Sequence, residues 1–383
     1  MTNYYYNIKS VQLSNNTFTN KGTINSIDLS NIPFVNNSMD NAFRNCINLT
    51  HVSNINYNVS YMNFAFYNCT NMIEPPILPQ PVKSLWRTFY NCRNLVNAPV
   101  IPNSVTNVYG TFSSCSNLVN APIIPNSVVE MCESFSSCSN LVNTPVIPNS
   151  VVKMYYTFYG CYNLVNISVI PNSVTNMCCT YYYCLNLTNA PVIPNSVSDM
   201  SYTFMTCRNL VNAPVIPNSV VNMYRTFRDC WNLVNAPIIP NSVTNMRDTF
   251  TDSKNLSGNI YIQSENISDA MNCFYNTPLT KNVYIPYTYE NGEYTMTYNS
   301  FINASYDENG TTNNVYLRDI NSNYYTLTIN VLPPDASVLI PNPNINGTFV
   351  NVSNYEYQLT NGNSTLVLGK YIGGNTNVIM PNI

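Results

Sequence analysis

Charge is scarce in this chain of 383 residues: only 9% of it is Asp, Glu, Lys or Arg, against about 25% in ordinary globular proteins. The 15 basic residues are scattered, and the formal net charge is −3. Nucleic-acid binding through an electrostatic footprint is therefore excluded, because it needs clustered Lys and Arg. A single histidine, His51, leaves no His-rich metal site and disfavours a Ser-His-Asp or Cys-His engine. No apolar run approaches the roughly 18 residues that a membrane span requires. The opening MTNYYYNIKS lacks the basic and apolar regions of a secretory signal. Either a signal has been removed or the protein is assembled without export. What is abundant is 69 asparagines and 31 tyrosines, so neutral amides and phenols do the hydrogen bonding. With 45% hydrophobic residues, the chain has enough apolar surface to bury a core.

An internal repeat dominates the sequence. NLVNAPVIPNSV stands at 94–105 and 209–220, and recurs with one Val→Ile change at 117–128 and 232–243. Cys46, Cys69, Cys92, Cys115, Cys138, Cys161, Cys184, Cys207 and Cys230 follow one another at intervals of 23. Phe43, Phe66, Phe89, Phe112, Phe135, Phe158, Phe204, Phe227 and Phe250 keep the same period, with Tyr181 in the one gap. Leu49, Leu95, Leu118 and their successors make a third ladder, interrupted by Met72. The unit FxxCxNLVNAPVIPNSVxNMxxT runs about ten times. A period of 23 predicts a solenoid of stacked coils sharing one core. Ten coils at about 4.8 Å make a ladder roughly 48 Å long.

Within a coil, Val105, Val108 and Phe112 fall at i, i+3 and i+7. That spacing predicts a short helical turn with Ser104 as its N-cap. Leu118, Ala121 and Ile123 read as the extended segment. Pro76, Pro99, Pro122, Pro145, Pro191, Pro214 and Pro237 lie inside that segment and Pro102 ends it, so each strand should be very short. Rows of Asn (94, 117, 140; 97, 120, 143; 103, 126, 149) read as scaffold, bonding coil to coil through their amides.

The F-x-x-C-x-N-L…I-P-x-S-V unit resembles the BspA-like leucine-rich repeat over residues 35–290. This chain carries VTNM and TF where the common version has an I-G and AF pairing. The resemblance implies an adhesion and interaction module of the kind found on bacterial and protist surfaces and in phage virion proteins. After Phe250 the period slips: Ser253 replaces the ladder cysteine, and Cys273-Phe274 comes late. Residues 282–286 resemble a closing strand of such solenoids. YTLTINVLPPDASVLI, from Tyr324, resembles the opening of a PEGA-type β-sandwich, and YIGGNTNVIMPNI resembles the entry strand of another repeat. The expected fold is a β/α solenoid of 23-residue coils with short parallel strands and short helices, then a small β-rich module. The expected divisions are an N-terminal cap at 1–30, the solenoid at 31–290, an irregular cap or linker at 291–322 and the β-rich module at 323–383.

The ladder cysteines sit at one inward position in an odd-numbered row, which reads as free buried thiols, suited to folding in a reducing compartment. Cys132, Cys178, Cys179 and Cys273 lie off the ladder, and the vicinal pair would be reactive if exposed. Asp229 and Asp248 could be placed for acid/base work, but Arg228 and Arg247 beside them make ion pairs the better reading. No catalytic, metal or cofactor site is expected. The positions that change from coil to coil stand out against the framework. Tyr155, Tyr156, Tyr159, Tyr162, Tyr182 and Tyr183 form an aromatic candidate patch. Arg208, Arg225, Arg228 and Arg247 form a cationic one with Trp231. Tyr, Trp and Arg dominate binding hot spots. Trp86, Arg87, Tyr90, Arg93, Tyr109, Tyr202 and Tyr224 occupy the same variable positions.

The function read from these features is a non-enzymatic virion-surface protein: a phage tail, fibre or capsid-attached adhesin. Its expected partners are other virion or surface proteins and a host-cell surface glycan or protein, with no membrane insertion. A bacterial or protist cell-surface adhesin and a purely structural assembly protein are the alternatives. The charge-poor surface also predicts a homo-oligomer.

Overall fold

The computed structural model describes residues 13–278, apart from 15, 31, 259 and 265. It also describes the backbone of a few strands beyond them. β1 (Ser26–Asp28) pairs in parallel with β2 (His51–Ser53), and β3 (Ile260–Tyr261) with β4 (Val283–Tyr284). β5 (Thr288–Glu290), β6 (Glu293–Thr295), β7 (Tyr355–Leu359) and β8 (Thr365–Tyr371) form an antiparallel sheet of order β5-β6-β8-β7. β6 falls within 291–322, the stretch read as irregular. The rest of that stretch, most of the β-rich module with its PEGA-like opening, the last residues and the start of the cap lie outside the described residues.

Outside these paired strands the coils stack through single-residue parallel bridges. One row runs from Ser38 through Tyr61, Ser84, Asn107, Glu130, Lys153, Asn176, Asp199, Asn222 and Asn245 to Asp269. A second row joins Asn97, Asn120, Asn143 and Asn166, then Asn189, Asn212 and Asn235. The strands are as short as the prolines predict, because Pro has no N–H for a ladder.

The expected short helices are absent from the described residues, where the one helical segment is a 3-10 turn at Val35–Asn37. The stretch read as a helical turn is a zigzag of overlapping turns. Gly110, Phe112 and Ser114 donate their N–H groups to Cys132, Ser134 and Ser136 of the next coil, at 3.0, 2.9 and 2.6 Å. The intervening Thr111, Ser113 and Cys115 donate to residues three back. Two residues per coil have left-handed backbone, Gly110 (φ 58) and Ser114 (φ 63) here. That conformation reverses successive peptides, so alternate N–H groups point along the solenoid axis instead of along a helix. Asn and Gly tolerate it best, and Asn45, Asn68, Asn91 and Gly160 occupy such positions. Ser104 is not an N-cap. Its hydroxyl donates to Val82 O of the preceding coil at 2.7 Å. Asn107 makes the local turn instead, its Oδ1 accepting from Tyr109 N at 2.9 Å, an Asx turn.

The inward positions are the ones the periodicity marks. Val105, Val108, Phe112, Cys115 and Leu118 are all buried. The aromatic ladder is a continuous ring stack from Phe18 to Phe274, with Phe112 and Phe135 5.6 Å apart and Phe158 and Tyr181 5.7 Å apart. Each ladder thiol donates to the carbonyl of the preceding coil's stack residue, as from Cys138 to Phe112 O at 3.1 Å. Ser253 makes the same bond to Phe227 O at 2.7 Å, so it substitutes for cysteine as a donor. All thirteen cysteines are free, and burial pushes the ladder thiols up, Cys46 to about 11. Asn side chains bond along the axis in two of the expected rows, Asn186 to Asn163 at 3.1 Å and Asn166 to Asn143 at 2.7 Å, and in a further row, Asn91 to Asn68 at 2.6 Å.

Ile123 points outward. It is 89% exposed while Ile124 is buried. Ile77, Val100, Val146, Val169, Val192 and Val215 share its position, so a stripe of branched aliphatics, 63–91% exposed, runs along seven coils.

Tyr181 is fully buried and its hydroxyl has no hydrogen-bond partner. Every other coil from Phe43 to Phe250 uses Phe at this position. Removing an unsatisfied buried hydroxyl while keeping the ring recovers its desolvation cost. Tyr181→Phe should therefore stabilise the protein by about 1–3 kcal/mol, read from the urea midpoint. An unchanged or lower midpoint would show that the hydroxyl is satisfied.

Candidate functional site

The variable positions all belong to the zigzag turn. Its inward residues (Val or Met, Thr, Phe, Cys) fill the core, and most of the residues between them line its outer side, although Cys132, Cys179, Ser201 and Asp248 are buried there. Because neighbouring coils are in register, those outward residues form a continuous band.

In the middle of the band Tyr156, Tyr159, Tyr182 and Tyr183 form one cluster. Tyr159 lies 5.8 Å from Tyr156, 5.1 Å from Tyr182 and 6.1 Å from Tyr183, and Tyr182 stacks on Tyr183 at 4.6 Å. Tyr202 and Tyr224 extend it. Burial, first of all, raises the phenols of Tyr159 and Tyr182, so they remain neutral donors. Tyr162 is 47% exposed beside Tyr159. Tyr155 turns away from this cluster and meets Tyr109, ring to ring at 6.3 Å.

The second patch is not cationic. Each arginine has an aspartate within reach: Arg208 and Asp229 at 3.1 Å, Arg225 and Asp248 at 3.0 Å, Arg228 and Asp252 at 3.6 Å, Arg247 and Asp269 at 3.7 Å. The reading of Asp229 and Asp248 as ion-pair members holds, although Asp229 pairs with Arg208 rather than its neighbour Arg228. Arg208 also lies 3.9 Å over the Trp231 ring, whose indole N–H donates to Asp229. Arg225 covers Tyr224 at 4.8 Å. These contacts seat the guanidinium groups over aromatic faces. The arginines of the patch are charge-balanced and pre-organised, and Lys254, 5.2 Å from the centre of the Trp231 ring, adds one further cation.

At the other end of the band is a cleft that the sequence reading did not single out. It is open, about 560 Å³, and lined by Trp86, Arg87, Thr106, Asn107, Tyr109, Val129 and Glu130. Arg87 spans two coils to reach Glu133 at 2.9 Å, and Tyr109 Oη donates to the other oxygen of that carboxylate at 2.5 Å. Gly110 makes the crossing possible: a Cβ there would lie 2.9 Å from Arg87 Cγ. A lone glycine between columns of Tyr and Arg was the signal available in the sequence. Trp86 offers a 42% exposed ring at the rim. The volume is in the range of small-ligand sites. Among the described residues no group of three or more His, Cys, Asp or Glu is arranged to hold a metal ion. None of their helices is long and apolar enough to cross a membrane.

The family model for the BspA type leucine rich repeat region matches in six copies, over residues 2–118, 86–211 and 177–305. A leucine-rich repeat protein from Bacteroides ovatus has a similar solved structure, with TM-score 0.51 and 20% identity over 72% of this chain and 78% of that one. A leucine rich cell surface protein from Faecalibacterium prausnitzii aligns with TM-score 0.47 and 21% identity, over 76% of this chain and 86% of that one. None of the curated proteins matches. The matched repeats span the stacked coils, and the fold is a leucine-rich-repeat solenoid. This chain belongs to the BspA-type leucine-rich-repeat family.

Proposed function

We propose that the chain is a non-enzymatic binding protein displayed on a surface, with the aromatic–arginine band as its contact face. The observation that carries this is the concentration of coil-to-coil variation in that band. Between residues 89 and 250 the rest of the repeat changes little, apart from the pair before the inward Val or Met, such as Val129-Glu130 and Val152-Lys153. In the band, Tyr, Trp and Arg are held by ring stacking and ion pairs, which lowers the entropy lost on binding. The finer reading is a phage virion component, on a tail, fibre or capsid, that contacts host-cell surface glycan or protein. Thirteen free thiols support it, because they suit folding and assembly in a reducing compartment better than export. Display on a bacterial or protist cell is the other setting in which the same band would serve.

The test is binding of labelled protein to a panel of bacterial cells, with and without their surface glycans stripped. The triple variant Tyr156→Ala, Tyr162→Ala, Trp231→Ala removes exposed rings of the band. It should weaken cell binding at least about 30-fold if even one is a hot spot. Full binding by this variant would remove the band from the contact. Loss of binding on stripping would identify a glycan as the ligand.

The aliphatic stripe favours a second reading, in which the solenoid also serves as a structural unit packing against copies of itself. Exposed Asn residues flank it, Asn97 and Asn103 in one coil and Asn120 and Asn126 in the next. A second copy would meet no like charge there. Its side chains repeat with the same pitch, so two stripes can interdigitate along their whole length. Seven coils at about 4.8 Å, with flanking rows, offer an area approaching the roughly 800 Å² per partner of a stable interface.

A further inference from the structure

Cys178 and Cys179 stand apart from the other cysteines. They occupy two variable positions of the zigzag turn, between Tyr155-Tyr156 in the coil before and Ser201-Tyr202 in the coil after. Their Sγ atoms are 3.4 Å apart. Ser201 Oγ lies 3.2 Å from Cys178 Sγ, and the Tyr156 hydroxyl bonds Cys179. Cys178 is half-buried, whereas the other twelve cysteines are buried. The hydrogen bond from Cys179, with a second from Ser201, lowers the Cys178 thiol to about 7. Cys179 is correspondingly pushed up as the donor of the pair.

Two adjacent thiols can join directly or share a third atom. Across a trans peptide the Cα atoms are held about 3.8 Å apart, short of the roughly 4.4–6.8 Å that unstrained disulfides span. A single bridging atom suits the pair better. Two bonds of about 2.3 Å, the length of a thiolate–metal bond, across the 3.4 Å gap open an angle of roughly 95°. That is the pyramidal geometry of a trivalent thiophilic centre such as arsenic(III).

We propose that Cys178 and Cys179 form a chelating dithiol site on the band for a trivalent thiophilic atom of the arsenic(III) class. With an aryl arsenoxide the step is an exchange without redox. Both S–H bonds break, two As–S bonds form, and the two protons leave with the oxide oxygen as water. Only the first attack needs an accessible sulfur, which the half-buried Cys178 supplies. Closure by Cys179 is intramolecular. The site stands independently of what the band binds.

The test is titration of the folded full-length chain with phenylarsine oxide, followed by intact-protein mass and by loss of reactive thiols. Uptake of one equivalent is expected, reversed by a small dithiol and not by excess monothiol. Cys178→Ser and Cys179→Ser should each bind at least about 100-fold more weakly, since the second bond then loses its effective concentration. Cys132→Ser, which removes another off-ladder cysteine, should bind as the unaltered chain does. No uptake by the folded chain, or uptake unchanged in Cys178→Ser, would overturn the proposal. Far-UV circular dichroism confirms that each variant is folded.

Discussion

Truncating Phe158 to alanine should cost about 3–5 kcal/mol of stability. The ring is fully buried between Phe135 and Tyr181, each 5.7 Å away. It is also central in a stack where each coil contacts only its neighbours. In such one-dimensional arrays stability is the sum of coil terms and interface terms. A cavity at Phe158 weakens two interfaces at once and nothing further away. Urea unfolding should therefore begin earlier and lose cooperativity, with the coils on either side melting as separate blocks. Circular dichroism together with tryptophan fluorescence separates them, because Trp86 and Trp231 report on opposite sides of the break. A loss under 1 kcal/mol with one cooperative transition would show that the stack does not couple the coils.

The same stack explains what was readable in the sequence. A fixed period of 23 places equivalent residues above one another, so the Phe, Cys and Leu ladders could be assigned inward without knowing the path between them. The path itself differs from the helical turn expected over residues 105–112. Val105, Val108 and Phe112 point inward in a helix and in the zigzag alike. What separates the two is the sign of φ at 110 and 114, and only Gly110 hinted at it. Ile123 and Ile124 illustrate another limit, since two equally apolar neighbours on an extended segment must face opposite ways. Arg208 and Asp229 are 21 apart and Arg225 and Asp248 are 23 apart, so pairing across coils was visible as spacing. Sequence adjacency pointed instead to Arg228 and Arg247 as partners, which hid the charge balance of the patch's arginines. The Trp86–Tyr109 cleft depends on Arg87 crossing an entire coil to Glu133, and Gly110 is the one local trace of that crossing.

Placing lysine at three coils of the aliphatic stripe (Ile123→Lys, Val146→Lys, Val169→Lys) should abolish self-association. The side chains concerned are 79–89% exposed in the single chain, so folding does not depend on them and the variant should keep the parent's urea midpoint. In a face-to-face pair they would be covered. Each loses about 1.5 kcal/mol or more of apolar burial and introduces a charge facing its own copy. At about 1.4 kcal/mol per tenfold, three such losses weaken the pair more than about a thousandfold. Sedimentation velocity over a concentration series reads this directly. The unaltered chain should move to a dimer boundary as concentration rises, while the variant stays a monomer. A single monomer boundary for both chains, or an unchanged dimer in the variant, would mean that the stripe does not join copies. The band is untouched by these substitutions, so cell binding per chain should survive in the monomer. Losing both together would instead place the contact on the paired assembly, with avidity from two bands supplying the affinity.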